Sequence, residues 1–221
     1  MTIRSHARMQ TPMPSILIGI AGPSGAGKSS FCRRLEQSHT NIGRLKLDDF
    51  FCDANDVGIC NGFQNWDHPS SINWDGLIRA ARILKSGASA TVPHYERALN
   101  RCVGEKCLLP KEIITIDGFL ALHHPALREM MDTSFFFRLP ETEQIARRKT
   151  RQPSVQEGYL RNVMLPNARA FVMPSAVYAI HTIDALLPPD TIYENILARL
   201  QTLPIRPTTR EEIALQPTPT L

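Results

Sequence analysis

Ser15-Ile-Leu-Ile-Gly-Ile-Ala-Gly-Pro-Ser-Gly-Ala-Gly-Lys-Ser29 is the stretch on which the fold turns. Its first half, Ser15 to Ala21, is a short apolar run bounded by turn residues. That predicts a strand buried on both faces, as in parallel sheets. Its second half, Gly22-Pro-Ser-Gly-Ala-Gly27-Lys28-Ser29, matches G-x-x-x-x-G-K-[ST] at every position. The glycines, with Ser24 and Ala26 between them and Ser30 just beyond, let successive backbone N–H groups turn inward around a phosphate. The helix that follows, read over Lys28 to Gln37 from Phe31, Cys32 and Leu35, aims its positive N-terminus at the same point. Lys28 reaches the β- and γ-phosphates, and the Ser29 hydroxyl ligates Mg²⁺. A glycine-rich turn before a helix is the plain alternative. A chance match in a chain this long is on the order of 1% or less, so nucleoside triphosphate binding is the stronger reading.

Outward from this stretch, similar short strands are predicted at Gly43–Leu47, Glu112–Ile116, Phe135–Leu139 and Val177–Ile183. Helical spacing lies between them. It covers Trp74 to Lys85, with Asn73 as cap and Gly87 as stop, and the basic segment Glu141 to Arg151. It also covers Leu160 to Phe171, interrupted at Pro166, and Ile192 to Leu200, capped by Thr191. Strands alternating with helices predict parallel β-α-β units in a three-layer α/β domain. Ligands in such sheets sit at the carboxyl ends of the strands. The sites after Ala21, at Asp48 and at Asp117 all fall at such ends. Asp53 to Ser71, rich in Asn, Asp, Gly and Pro, is a long loop of the kind that is usually functional. Ala88 to Cys107 has extended character around Thr91-Val-Pro93 and no further assignment.

The composition fits one domain of 15–203 with flexible tails at 1–14 and 204–221. The 221 residues are 43% hydrophobic and 21% charged, with a net charge of +4. That is ordinary for a globular chain, and well short of a usual nucleic-acid footprint. An RNA-associated ATPase is therefore only a weak option. No apolar run approaches the ~20 residues of a membrane span, and the run Ile16–Ile20 leads into a glycine-rich loop instead of a cleavage site. Five cysteines, an odd number without zinc spacing, read as reduced thiols, and a cytoplasmic location is expected. His123, His124 and His181 read as structural or surface residues.

A phosphate loop does not choose among a GTPase switch, an ATP-driven motor and a small-molecule kinase. The base-reading Asn-Lys-x-Asp of GTPases is not in the sequence. Five segments in order carry a resemblance: the phosphate loop, Leu47-Asp48-Asp49-Phe50-Phe51, Asn65-Trp66-Asp67-His68-Pro69, Ile116-Asp117-Gly118-Phe119-Leu120 and Arg147-Arg148-Lys149-Thr150-Arg151. Over about residues 16–185 the chain resembles the uridine kinase and nicotinamide riboside kinase group of P-loop kinases. Asp-Asp-Phe-Phe, Gln64-Asn65-Trp66-Asp67 and Ile-Asp-Gly-Phe-Leu look most like nicotinamide riboside kinases. Asp67-His68-Pro69 with Asp75, and Pro93-His94-Tyr95-Glu96, look like uridine kinases, although Glu96 and Asn100 stand where those carry Asp and His.

The resemblance implies a three-layer P-loop NTPase fold of the nucleoside monophosphate kinase type, with a short Arg-rich lid. It implies Mg²⁺ and ATP as co-substrate, a small-molecule nucleoside as acceptor, and a monomer or small homo-oligomer without nucleic acid or membrane. Nicotinamide riboside is the first acceptor expected and uridine or cytidine the second. A P-loop regulator that binds nucleotide without phosphoryl transfer is the reading from another class.

Residue roles follow with their alternatives. Asp48 suits a base for the 5′-hydroxyl, or else an N-cap or outer Mg²⁺ shell. Asp67 suits the ribose diol, since each carboxylate oxygen accepts one O–H, or else an Asx-turn. Phe50, Phe51 and Trp66 suit a wall around the base, or else the core, and Tyr95 is expected on the substrate. Asp117 suits a second Mg²⁺-handling acid acting through water, or else a strand-end turn. Arg147 is expected on ATP, with Arg148 near the acceptor ribose and phosphates and Arg151 on the transferring phosphoryl group. A solvated charged face is the plain reading of that run.

Overall fold

The computed structural model describes residues 13–205 and 207–209. The expected N-terminal tail lies outside the described residues except for 13 and 14, and so does everything after 209. Nine strands are present among the described residues. They are β1 (Ile16–Ala21), β2 (Ile42–Lys46), β3 (Ile59–Cys60), β4 (Phe63–Gln64), β5 (Ala90–Glu96), β6 (Arg101–Leu108), β7 (Ile113–Asp117), β8 (Thr133–Arg138) and β9 (His181–Asp184). Five of them form one parallel sheet in the order β2-β7-β1-β8-β9.

Two layers of helix cover this sheet because its central strand, β1, is apolar and buried at every position. Ile16, Ile18 and Ile20 of β1 pack to one side, with Phe31 and Leu35 of α1 (Lys28–Ser38). Leu17 and Ala21 pack to the other, with Leu77, Ala81 and Leu84 of α2 (Trp74–Lys85). Side chains alternate across a strand, so six consecutive apolar residues supply both cores. The short α3 (Pro125–Arg128) precedes β8, and α4 (Glu141–Arg151) follows it. Among the described residues no helix is long and apolar enough to cross a membrane.

Asn73 caps α2 as expected, its Oδ1 accepting from Gly76 N at 2.9 Å. Three expectations need correction, and one unassigned segment gains a structure. The segment around Pro166 is not interrupted. It runs helically from α5 (Glu157–Tyr159) through α6 (Leu165–Asn167), with wider π-type turns at Leu160–Met164 and Ala168–Val172 on either side. Proline lacks the N–H of a normal helical bond, and a widened turn accommodates the gap. The last strand starts at His181 and not Val177, because Met173–Tyr178 forms a 3₁₀ helix with Pro174 in its first turn and leaves Val177 exposed. The last helix, α7 (Pro189–Leu200), is capped by Pro188 with Pro189 in its first turn, so Thr191 lies inside it. Ala88 to Cys107 forms most of an antiparallel hairpin, β5–β6, with a register irregularity between Pro93 and Tyr95.

The start of the expected C-terminal tail is attached to the domain. Thr40 N donates to Thr208 O at 3.0 Å, and Thr208 N donates to Asn41 Oδ1 at 2.8 Å.

Candidate active site

Register alone assembles one end of the site. Asp117 pairs with Ile20 on one side and Lys46 on the other. The phosphate loop, the turn carrying Asp48 and the end of β7 therefore share one carboxyl edge. Gly22 has φ +137°, and a Cβ there would lie 2.4 Å from Phe137 O, so only glycine fits. Gly27 caps α1 in the left-handed region, with no side-chain cap and no acidic residue in the first turn. The first N–H groups of α1 are thus left for an anion.

Lys28 is buried, and its Nζ donates to Pro23 O at 2.8 Å. Burial lowers its pKa to about 8, although Asp117 and Asp48 pull the other way. Beneath the loop, Ser29 Oγ donates to Asp117 Oδ2 at 2.9 Å. Arg44 of β2 grips the same carboxylate with two bonds, Nε to Oδ1 at 2.8 Å and Nη2 to Oδ2 at 2.6 Å. Asp117 is buried, so this bidentate partner stabilises its charge.

Leu47–Phe50 is a 3₁₀ turn that sends its two acids different ways. Asp49 is 8% exposed and accepts from Lys106 of β6 at 2.7 Å. Asp48 lines the cleft and accepts from Arg97 Nη2 at 2.7 Å. Arg97 lies in the turn between β5 and β6. That turn is tied to the loop after Asp48, since Ala54 N donates to Asn100 O at 3.0 Å and Cys102 N to Asp53 Oδ1 at 2.8 Å.

The far end of the cleft is aromatic. Phe51 meets Trp66 edge-on at 5.7 Å, Tyr95 at 5.7 Å and Phe119 in a near-parallel stack at 6.2 Å. Asp67 accepts from Tyr159 Oη at 2.5 Å across 92 residues of sequence. Burial raises the pKa of Asp67, opposed by Tyr159 and by the charge of Arg148. Burial and the neighbouring carboxylate push the Tyr159 phenol well above its usual range. The Nε of Arg148 is buried without a partner.

Along α4 the arginines divide by helical spacing. Arg147 and Arg151, four residues apart, both face the phosphate loop. Arg147 donates to Gly25 O at 3.3 Å and to Ala185 O at 3.1 Å, and Arg151 donates to Ser24 Oγ at 3.2 Å. Arg148 faces the cleft.

One cleft of about 930 Å³ takes in Ser24, Gly25, Gly27, Lys28, Ser29, Ser30, Asp48, Phe51, Trp66, Asp67, Tyr95, Arg148 and Arg151. Five predicted residues do not line it. Gly22 is packed on Phe137, Ala26 is buried, Phe50 is buried in the core and not in the wall, Arg147 is folded back on the loop backbone, and Asp117 lies under Ser29. Four others belong to the site without having been singled out: Arg44, Arg97, Phe119 and Tyr159. Arg44 had one weak signal, a charge inside a predicted strand, and it shares that with Lys46. Phe119 sat inside a quoted motif. Arg97 and Tyr159 had none, since only the folded chain brings them in.

A phosphate loop at the edge of a parallel sheet, with an arginine helix above it and a second compartment in the same cleft, defines a P-loop kinase. The sequence profile of the phosphoribulokinase / uridine kinase family matches residues 17–184, and the chain belongs to that family. It is an ATP-dependent kinase. The chain is similar to the uridine kinase of Shewanella denitrificans, 30% identical over 180 residues, covering 74% of this chain and 84% of that protein. It is also similar to the uridine kinase of Shewanella amazonensis, 31% identical over 182 residues with the same coverage. Among solved structures, phosphoribulokinase from Rhodobacter spheroides superposes with a TM-score of 0.55 at 10% identity, over 81% of this chain and 74% of that one. That likeness concerns the fold.

Proposed function

We propose that the chain transfers the γ-phosphoryl group of ATP to the 5′-hydroxyl of a ribonucleoside. The observation that carries this is the continuity of the cleft. Lys28, Asp48, Asp67 and the Phe51–Trp66 pair line a single space, so a donor phosphate and an acceptor sugar can meet in it. Asp48 takes the 5′-hydroxyl proton as that oxygen attacks the γ-phosphorus. Asp67, held through one oxygen by Tyr159, offers the other to the ribose diol. Arg148 and Arg151 stabilise charge on the phosphoryl oxygens and shield the site from water.

The donor atoms fit Mg²⁺. Ser29 Oγ and the Asp117 carboxylate are hard oxygen ligands on adjacent elements. With Arg44 on both Asp117 oxygens, that carboxylate would hold the ion through water. When bound, Mg²⁺ neutralises charge on the β- and γ-phosphates.

Two acceptors have support. The relatives named uridine kinase favour uridine at least as strongly as any other base. The Asp-Asp-Phe-Phe and Asn-Trp-Asp segments favour nicotinamide riboside, the first expectation from the sequence. A coupled ATPase assay over uridine, cytidine, nicotinamide riboside and their 5′-deoxy analogues tests the proposal. Turnover with a ribonucleoside and none with its 5′-deoxy form is expected. ATP binding without turnover on any of them overturns it in favour of a nucleotide-binding regulator.

A further inference from the structure

Arg97 is not part of the reaction as proposed, yet its guanidinium lies inside the acceptor compartment. It sits 5.8 Å from the centroid of the Phe51 ring, the ring at the centre of the Trp66, Tyr95 and Phe119 contacts. One of its nitrogens is on Asp48 Oδ2, and the side chain is otherwise half-exposed to the cleft. The hairpin that carries it is pinned at Asp53 and Ala54, and Asp48 anchors the guanidinium itself.

Three physical facts bear on what such a group does. A guanidinium is always charged and carries five N–H donors, of which Asp48 uses one. The charged side chains lining the cleft are Lys28, Arg97, Arg148 and Arg151 against Asp48 and Asp67, four cations to two carboxylates. A planar base stacked among these rings comes within ring-to-ring distance of the guanidinium, and because Arg97 and Asp48 are each about half-exposed, solvent screens that charge in part and the effect on the ring is modest.

We infer that Arg97 selects the base of the acceptor: it favours a neutral ring bearing carbonyl oxygens and disfavours a ring that carries a positive charge. A carbonyl oxygen accepts from the free guanidinium N–H groups, while a cationic ring meets the guanidinium as a like charge at stacking distance. The inference rests on the ribonucleoside reading and decides between its two acceptors, toward the pyrimidine and away from the pyridinium. Arg97 acts on the base, and Asp48 on the hydroxyl.

The experiment compares kcat/KM for uridine and for nicotinamide riboside in the wild type, Arg97→Gln and Arg97→Lys, with binding of each riboside followed by Trp fluorescence. The wild type is expected to prefer uridine. Arg97→Gln, which keeps a donor and loses the charge, should shift the ratio about tenfold toward nicotinamide riboside. Arg97→Lys, which keeps the charge, should hold the wild-type ratio. A wild-type preference for nicotinamide riboside, an unchanged ratio in Arg97→Gln, or a Lys variant that behaves like the Gln variant overturns the inference and leaves the ribonucleoside reading standing. A wild type that neither binds nor phosphorylates either riboside removes both together.

Discussion

The two ends of the cleft are built in opposite ways. The donor end comes from eight consecutive residues, Gly22 to Ser29, plus the strand ends that register places beside them. Its ligands are largely backbone N–H groups whose directions follow from local φ and ψ. The acceptor end comes from the Asp48 turn, the Trp66-Asp67 loop, the β5–β6 hairpin and the helical segment carrying Tyr159. Its links span 49 residues from Asp48 to Arg97 and 92 from Asp67 to Tyr159. A locally determined anion site tolerates wide divergence around it. A site assembled from long-range side-chain contacts can be retuned by changing one residue at a time, which is how one scaffold serves many acceptors.

Mutations can separate the two ends. The largest effect belongs to the donor end. Lys28→Ala removes the buried cation of the phosphate loop and should lower kcat by about 10³ or more, while riboside binding by fluorescence stays near the wild-type value. Equal loss of riboside binding would show that the ends are not separable. Asp48→Asn lies at the boundary. It keeps shape and loses the base, so kcat should fall by roughly 10² with little change in ATP affinity. If ATP affinity falls instead, Asp48 belongs with the metal shell.

Asp67→Ala should act on the acceptor alone. A hydrogen bond to a charged group contributes about 1.5–3 kcal/mol, so acceptor KM should rise by about ten- to a hundredfold over any change in ATP KM. A 2′- or 3′-deoxy acceptor should be poor with the wild type and no worse with the variant. Additive losses would place Asp67 outside the sugar contact. Tyr159→Phe keeps the carboxylate and removes only its support, for a smaller rise in acceptor KM of about fivefold, or about 1 kcal/mol. No change in KM would make that contact a matter of packing.

Asn73→Ala, at the start of α2 and outside the cleft residues, provides the smallest effect. Loss of the cap should cost about 1 kcal/mol and lower Tm by roughly 2–4 °C, with both KM values unchanged. A shift in either KM would show that framework stability and the acceptor loops are coupled through the Asn73 N to Phe50 O bond.

Local signals account for most of the framework. β1, α1, α2 and α4 begin where caps, glycines and apolar spacing place them, with ends within a residue or so. The signals failed where an apolar stretch was not buried, as at Val177 to Ile180, and where proline was read as a break, as at Pro166. They also missed the β5–β6 hairpin. Its outer strand is exposed along most of its length, so no alternating core face marks it.

By itself the sequence determined the phosphate site and the class of fold, because both rest on near-neighbour geometry. Glycines must stand where φ is positive, a lysine and a hydroxyl must follow at fixed places, and apolar strands must be covered on both faces. The family resemblance favoured Asp48 of the two adjacent acids, and only the tertiary structure shows why. Lys106, 57 residues away, takes up Asp49 and leaves Asp48 on the open side. It alone brought Arg97 to the aromatic wall, Tyr159 to Asp67 and Arg44 to Asp117. Each of these is a charge or hydrogen bond between distant segments, and its strength depends on burial and angle that no local pattern encodes.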